Sequence, residues 1–196
     1  MNWWEDPQTD SKPPTSHVNV ELSHYSKDGK PYRRISRVAK EAAAYFEPDG
    51  EQRLQEWQDG IRSKYPDPAE AYLQALAKAG TQLHNMLECE AKNGIGIVQA
   101  IEEKLGKIES TEQVVYDDDL MIAGKYDANF ESAGGDYKSA AKARLSHKIQ
   151  VSFYCHNSGK EVGYVICNLG GNKQGFTLTK VDVEKYYGML KEYLTT

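Results

Sequence analysis

Cysteine is scarce in this chain and badly placed for bridging. The three residues, Cys89, Cys155 and Cys167, are odd in number, widely separated and include no CxxC pair. That argues against a disulfide framework, a zinc knuckle and an iron–sulfur cluster. Long apolar runs are absent too. No stretch approaches the roughly 18 apolar residues of a membrane-spanning helix, so none is expected. The opening MNWWEDPQTDSKPPTSH lacks the basic and apolar regions of a signal peptide, and the reading is a cytoplasmic protein, or one of a host's cytoplasm if viral. Excess positive charge is missing as well. A formal net charge of −5 excludes a histone-like coat on nucleic acid, but not a protein whose phosphate contacts are local. No internal repeat is visible. What is present suffices for a core: 39% of residues are hydrophobic and 27% charged among 196. The expectation is one domain over 31–196, preceded by an irregular, proline-bearing arm over 1–30.

The charge is unevenly spread. No Asp or Glu occurs from Lys138 to Lys160, where Lys142, Arg144 and Lys148 also lie. A second basic cluster comprises Lys30, Arg33, Arg34, Arg37 and Lys40. Each reads either as part of a phosphate path or as a solvated charged face. Along the chain, YRRISRVAKEAAAYF has a helical look with Ser36 as a candidate cap, and EQRLQEWQDGIRSKY reads as a short amphipathic helix. DPAEAYLQALAKAGTQLHNMLECEAKN gives the strongest helix signal: Asp67 as cap, Pro68 at the first helical position, and Glu70 at the capping-box position. His84 and Glu88 lie four apart, on one face of that helix. GIGIVQAIEEKLGKI reads as a helix, and TEQVVYDDDLMIAGKYDANFE as strand, acidic turn, strand. GGDYKS reads as a third strand and ARLSHKIQVSFYCHN as a helix. Then come strands in EVGYVICNL and FTLTK, and a closing helix in VDVEKYYGMLKEYL. The order predicts an α/β fold with a central mixed β-sheet flanked by helices.

The chemistry concentrates between residues 122 and 154. Asp136 and Lys138 are two apart in GGDYKS, so on a strand they share a face. LMIAGKYDANF alternates as a strand, and ESAGG is a turn. Folded as a hairpin, the two strands bring Asp127 roughly opposite Lys138 and diagonal to Asp136. Two carboxylates in one patch repel, and a hard divalent cation neutralises them. A lysine beside such a cation can position or deprotonate a water, which points to metal-assisted phosphodiester hydrolysis. The plainer reading of D-x-K is a surface ion pair.

Taken in order, GTQLHNMLE, GKYD, GDYKS and QVSFY resemble the PD-(D/E)xK nuclease superfamily, specifically its RecB-like branch with the Cas4-type and mitochondrial genome maintenance-type exonucleases. The resemblance covers about residues 80–154 and implies a restriction-endonuclease-like core. It implies that His84, Asp127, Asp136 and the backbone carbonyl of Tyr137 bind Mg²⁺ or Mn²⁺, as one ion or two, and that Asp127, Asp136 and Lys138 are catalytic. It further assigns Gln150 and Tyr154 to the substrate or to support of the metal ligands. Glu88 either orients His84 or is a structural carboxylate, and Lys142, Arg144 and Lys148 are candidate DNA phosphate contacts. The cluster-binding cysteines of Cas4-type members are absent, so no iron–sulfur cluster is expected. The implied activity is a DNA exonuclease of recombination, repair or replication. The implied partners are DNA and a single-strand-binding or annealing protein or a separate helicase, with no membrane. The alternatives are a structure- or sequence-specific endonuclease on the same fold, and a non-catalytic nucleic-acid-binding protein.

Overall fold

The computed structural model describes residues 25–50, 52, 53, 56, 59, 82, 85–87, 90, 96–167, 169 and 175–196. In chain order the described elements are β1 (Tyr25–Lys27), β2 (Lys30–Arg34), α1 (Ile35–Phe46), α2 (Gly96–Leu105), β3 (Ile108–Asp117), β4 (Ile122–Phe130), β5 (Gly134–Tyr137), α3 (Leu145–Ser158), β6 (Val162–Cys167), β7 (Thr177–Asp182) and α4 (Val183–Thr195). Among the described residues seven strands form one mixed sheet, ordered β1-β2-β4-β5-β6-β7, with β3 paired to β4. β2–β4 and β5–β6 run parallel; the other pairs are antiparallel.

The opening hairpin departs from the expected arm. Asp28 and Gly29 both take positive φ, 53° and 73°. A two-residue Asp-Gly turn of that twist joins antiparallel strands. So Tyr25–Lys27 is strand, as is the YRR expected to begin a helix. Helix α1 starts only at Ile35, and Ser36 lies inside its first turn rather than at its cap, which is Arg34. Its buried residues, Ile35, Val38, Ala39, Ala42 and Ala43, recur at the spacing of one helix face. They pack with Ile149, Phe153 and Tyr154 of α3, with Tyr187 and Leu190 of α4, and with Val115, Ile122 and Tyr126 of the sheet. A second cluster gathers Leu87 and, from α2, Val98, Ile101 and Leu105, against Ala128, Phe130, Tyr137 and Ile166.

Helix α3 is buried continuously from Ile149 to Cys155. Val151 and Phe153 are therefore both core. It ends at Gly159, whose φ of 70° lets the chain turn back into β6. Of the long helix expected over DPAEAYLQ to ECEAKN, Gln82, Asn85, Met86, Leu87 and Glu90 are helical. The remainder, with Asp67, Pro68, Glu70, Gly80, His84 and Glu88, lies outside the described residues, as does most of EQRLQEWQDGIRSKY. No helix among the described residues is long and apolar enough to cross a membrane.

Candidate active site

The sheet forks at β4. One edge of that strand is covered by β3; along the other, β2 attaches at Ile122 and Ala123 and β5 at Ala128 and Asn129. Residues 124–127 lie between the two attachments, and the site is built there. The β4–β5 register pairs Ala128 with Gly135. Carried one step further, it sets Asp127 beside Asp136. The expected placement of Asp127 opposite Lys138 is thus corrected by two positions, because the turn closes tightly, with Phe130 and Ala133 exchanging backbone hydrogen bonds of 2.8 and 3.4 Å. The correction brings the two acids nearer to one another than the expected diagonal did.

Asp127 and Asp136 are 8% and 2% exposed. The Tyr137 backbone N–H donates to Asp127 Oδ2 at 2.6 Å, so the β4 carboxylate is tied directly to the backbone of β5. Lys138 leaves the strand end, its own N–H donating to the Ile166 carbonyl at 2.8 Å, and its Nζ forms an ion pair with Asp136 Oδ2. Its side chain is 20% exposed. Burial pulls the Lys138 ammonium down in pKa. Asp136 and Asp127 outweigh that, and the net position is above the usual lysine value.

Gln150 and Tyr154, four apart on α3, are joined by a hydrogen bond from Gln150 Nε2 to Tyr154 Oη of 2.8 Å. Both are buried, so they are not a half-exposed pair on the helix surface. Burial first, and the charge of Asp136 second, hold the Tyr154 phenol well above its ordinary pKa, so it stays protonated. Its ring stacks on Tyr126 with centroids 5.5 Å apart. It lies so close over β4 that a Cβ at Gly124 would fall 2.9 Å from Tyr154 Cε1 and 2.3 Å from Ile35 Cγ2. The glycine of GKYD is a packing requirement: only a residue without a side chain lets α3 bring Tyr154 down beside Asp127.

These side chains open into one cavity of about 380 Å³, lined by Asp127, Asp136, Lys138, Gln150, Tyr154 and Arg34, among others. On its wall Lys125 pairs with Glu112. Among the described residues no group of three or more His, Cys, Asp or Glu converges as a metal site. The donors present are two neighbouring buried carboxylates. That set suits a hard cation that keeps several waters and needs only one or two protein carboxylates. His84, expected to complete it, and Glu88, expected to orient His84 or to be structural, lie outside the described residues.

The basic residues separate into groups. Arg144 belongs to the site's surroundings, since it acts electrostatically on Lys40 and His147 together with Lys138. Lys148 sits over the Tyr186 ring at 5.5 Å, and Lys142 is exposed. Arg33 and Arg37 are neutralised by Glu41 at 2.8 and 3.0 Å. Lys160 is structural, bonding Glu109 and the Phe130 carbonyl at 3.0 and 2.8 Å. Sequence reasoning passed over His147. Its signal was its place at the start of α3, between two residues already singled out, Arg144 and Lys148.

No protein-family model matches the chain, and no curated protein matches it. Among solved structures it is similar to the protein SSO0001, with 13% identity over 89% of this chain and 79% of that one, at a TM-score of 0.48. It is also similar to an alkaline exonuclease (LHK-Exo) from Laribacter hongkongensis, at 12% identity, 84% and 90% coverage and a TM-score of 0.44. With the same exonuclease in complex with dAMP the figures are 13%, 84%, 90% and 0.43. At such distances the residues of the site, not the likeness, carry the functional reading.

Proposed function

We infer that this chain is a metal-dependent deoxyribonuclease of the PD-(D/E)xK type, acting as an exonuclease on DNA. The observation that carries the reading is the pairing of two buried carboxylates, Asp127 and Asp136, with a lysine held against one of them, at the base of an open cavity. Two carboxylates buried side by side concentrate negative charge at one point, and oxygen donors so placed suit a hard divalent cation.

Asp127, Asp136 and the Tyr137 carbonyl would hold Mg²⁺ or Mn²⁺, with His84 as a nitrogen donor. Such an ion supplies Lewis-acid polarisation of the phosphate and charge stabilisation as the bond breaks. The protein's own contributions follow from geometry. Asp136 fixes Lys138 Nζ at the rim of the acid pair, where it can orient a water. A cation sharing the carboxylate charge would weaken the influence that raises the Lys138 pKa, and burial of the amine would then favour its neutral form. Gln150 and the protonated Tyr154 form a linked donor pair on the cavity wall, aimed where a phosphate or base would lie.

The test is a time course on end-labelled linear and circular DNA with Mg²⁺. Wild type should shorten linear substrates from an end and leave circles intact, and excess EDTA should stop it. Asp136→Asn and Lys138→Met should remain folded and bind DNA without cutting. Undiminished cleavage in EDTA, or by either variant, would overturn the reading; cleavage of circles would replace exonuclease by endonuclease.

A further inference from the structure

Asp127 and Asp136 stay together only while β4 and β5 keep their register. The ladder joining those strands is short: Ala128 pairs with Gly135 and Asn129 with Gly134. Both β5 partners are glycines, so no cross-strand side-chain contact specifies the register there. A slip of one residue would turn one acid to the opposite face of the sheet. The register therefore needs a hold from outside the two strands.

Lys160 is placed to supply it. It lies in the connection from α3 to β6, and its backbone N–H donates to the Cys155 carbonyl at 2.9 Å. That end of α3 presses on the sheet: a Cβ at Gly134 or Gly163, which are paired, would fall 2.7 or 2.8 Å from Cys155 Sγ. In the sheet β5 stands between β6 and β4, and the Lys160 side chain spans it. Its Nζ donates to the carbonyls of Phe130 and Glu131, at 2.8 and 3.3 Å, and to Glu109 Oε2 at 3.0 Å. The same Glu109 oxygen accepts from Asn129 Nδ2 at 3.3 Å. So one ammonium ties the entry of β6 to the end of β4, to the turn after it and to β3. Three acceptors use all three of its N–H donors, which leaves none for a substrate.

We propose that Lys160 is a positioning residue for the acid pair: by fastening the end of β4 to the entry of β6 it fixes the β4–β5 register, and with it the placement of Asp127 beside Asp136. The proposal rests on the hydrolytic reading only for what that placement serves. Lys160 touches neither acid. Its effect reaches them through the backbone, and the bond from the Tyr137 N–H to Asp127 Oδ2 is where that effect is felt.

The experiment is amide hydrogen exchange by NMR on the full chain without metal, comparing wild type with Lys160→Met, which keeps the stem and removes the donors. The Tyr137 N–H reports the β4–β5 side; the Lys138 N–H, bonded to the Ile166 carbonyl, reports the β5–β6 side. A general loss of stability speeds both amides together. Loss of the fastening should speed Tyr137 by at least about tenfold relative to Lys138. Titrated Mn²⁺ should then bind the variant about tenfold more weakly, as when the support of a metal ligand is removed. DNA turnover with Mg²⁺ should lose kcat and keep its KM. An unchanged exchange ratio overturns the proposal whatever happens to activity. So does a raised ratio with the wild type's Mn²⁺ affinity retained, or a raised KM with kcat kept. If the ratio rises while the wild type itself neither binds Mn²⁺ nor cuts DNA, the hydrolytic reading fails and the fastening stands. Should Lys160→Met not fold, Glu109→Gln loosens the same ammonium from the exposed side, and the same exchange ratio decides.

Discussion

Gly124→Ala isolates the packing that seats Tyr154 over β4. The new methyl carbon would lie 2.3 Å from Ile35 Cγ2 and 2.9 Å from Tyr154 Cε1, where carbon atoms normally approach to about 3.5–4.0 Å. Neither neighbour can withdraw freely. Ile35 is fully buried at the start of α1 and Tyr154 is 3% exposed, pinned by Gln150 at 2.8 Å and by the Tyr126 ring. Overpacking of this kind costs about 1–3 kcal/mol. For a chain of this size that lowers Tm by roughly 2–4 °C per kcal/mol. The displaced Tyr154 should also cut hydrolysis more than the lost stability accounts for. Gly188→Ala is the matched control. A Cβ there meets nothing within 4 Å, and on helix α4 alanine should stabilise by about 0.5–1 kcal/mol. Thermal melts and end-label hydrolysis on the two variants read the difference. If Gly124→Ala melts with the wild type and cuts as well, the account of why GKYD needs its glycine is wrong.

Asp136→Asn and Lys138→Met should each abolish hydrolysis while keeping a wild-type circular dichroism spectrum; retained activity in a turnover assay counts against the site. Tyr187→Phe removes a buried hydrogen bond of 2.6 Å to Asp117 Oδ2, which a charged acceptor makes worth about 1.5–3 kcal/mol; urea unfolding at neutral pH should show the loss. Hydrogen bonds first from Lys27 and then from Tyr32 hold the Asp118 carboxyl below its usual value of 3.8. A depressed carboxyl lends stability above its unfolded pKa and loses it as pH falls through the folded one. Asp118→Asn should therefore weaken the β1–β2 hairpin at neutral pH and converge on the wild type in acid. Melts that differ equally at both pH values would contradict this.

Much of the fold was legible because its elements carry local signals. The acidic turn between β3 and β4, the glycines that open β5 and the strands β6 and β7 sit where alternation and turn residues put them. The opening hairpin was not read. Its Asp-Gly signal lies between strands only three and five residues long, inside a polar stretch too short for alternation to register. α1 was read as starting early because Arg33 and Arg34 are compatible with helix; pairing with Ile122 and Ala123, a contact remote in sequence, fixes them as strand. The acid pair was legible from D-x-K and the preceding GKYD, but its register was not, since that depends on how tightly the turn over 131–133 closes. The packing of α1 on α3 was not legible either, because it joins segments remote in sequence.

The central claim is that Asp127 and Asp136 share one divalent ion. An anomalous difference map from crystals grown with Mn²⁺ measures this directly. The account predicts a peak between the two carboxylates, within coordination distance of an oxygen from each, that disappears in Asp136→Asn. A map with no peak there, or with Mn²⁺ bound elsewhere while the two carboxylates keep their present positions, would contradict it.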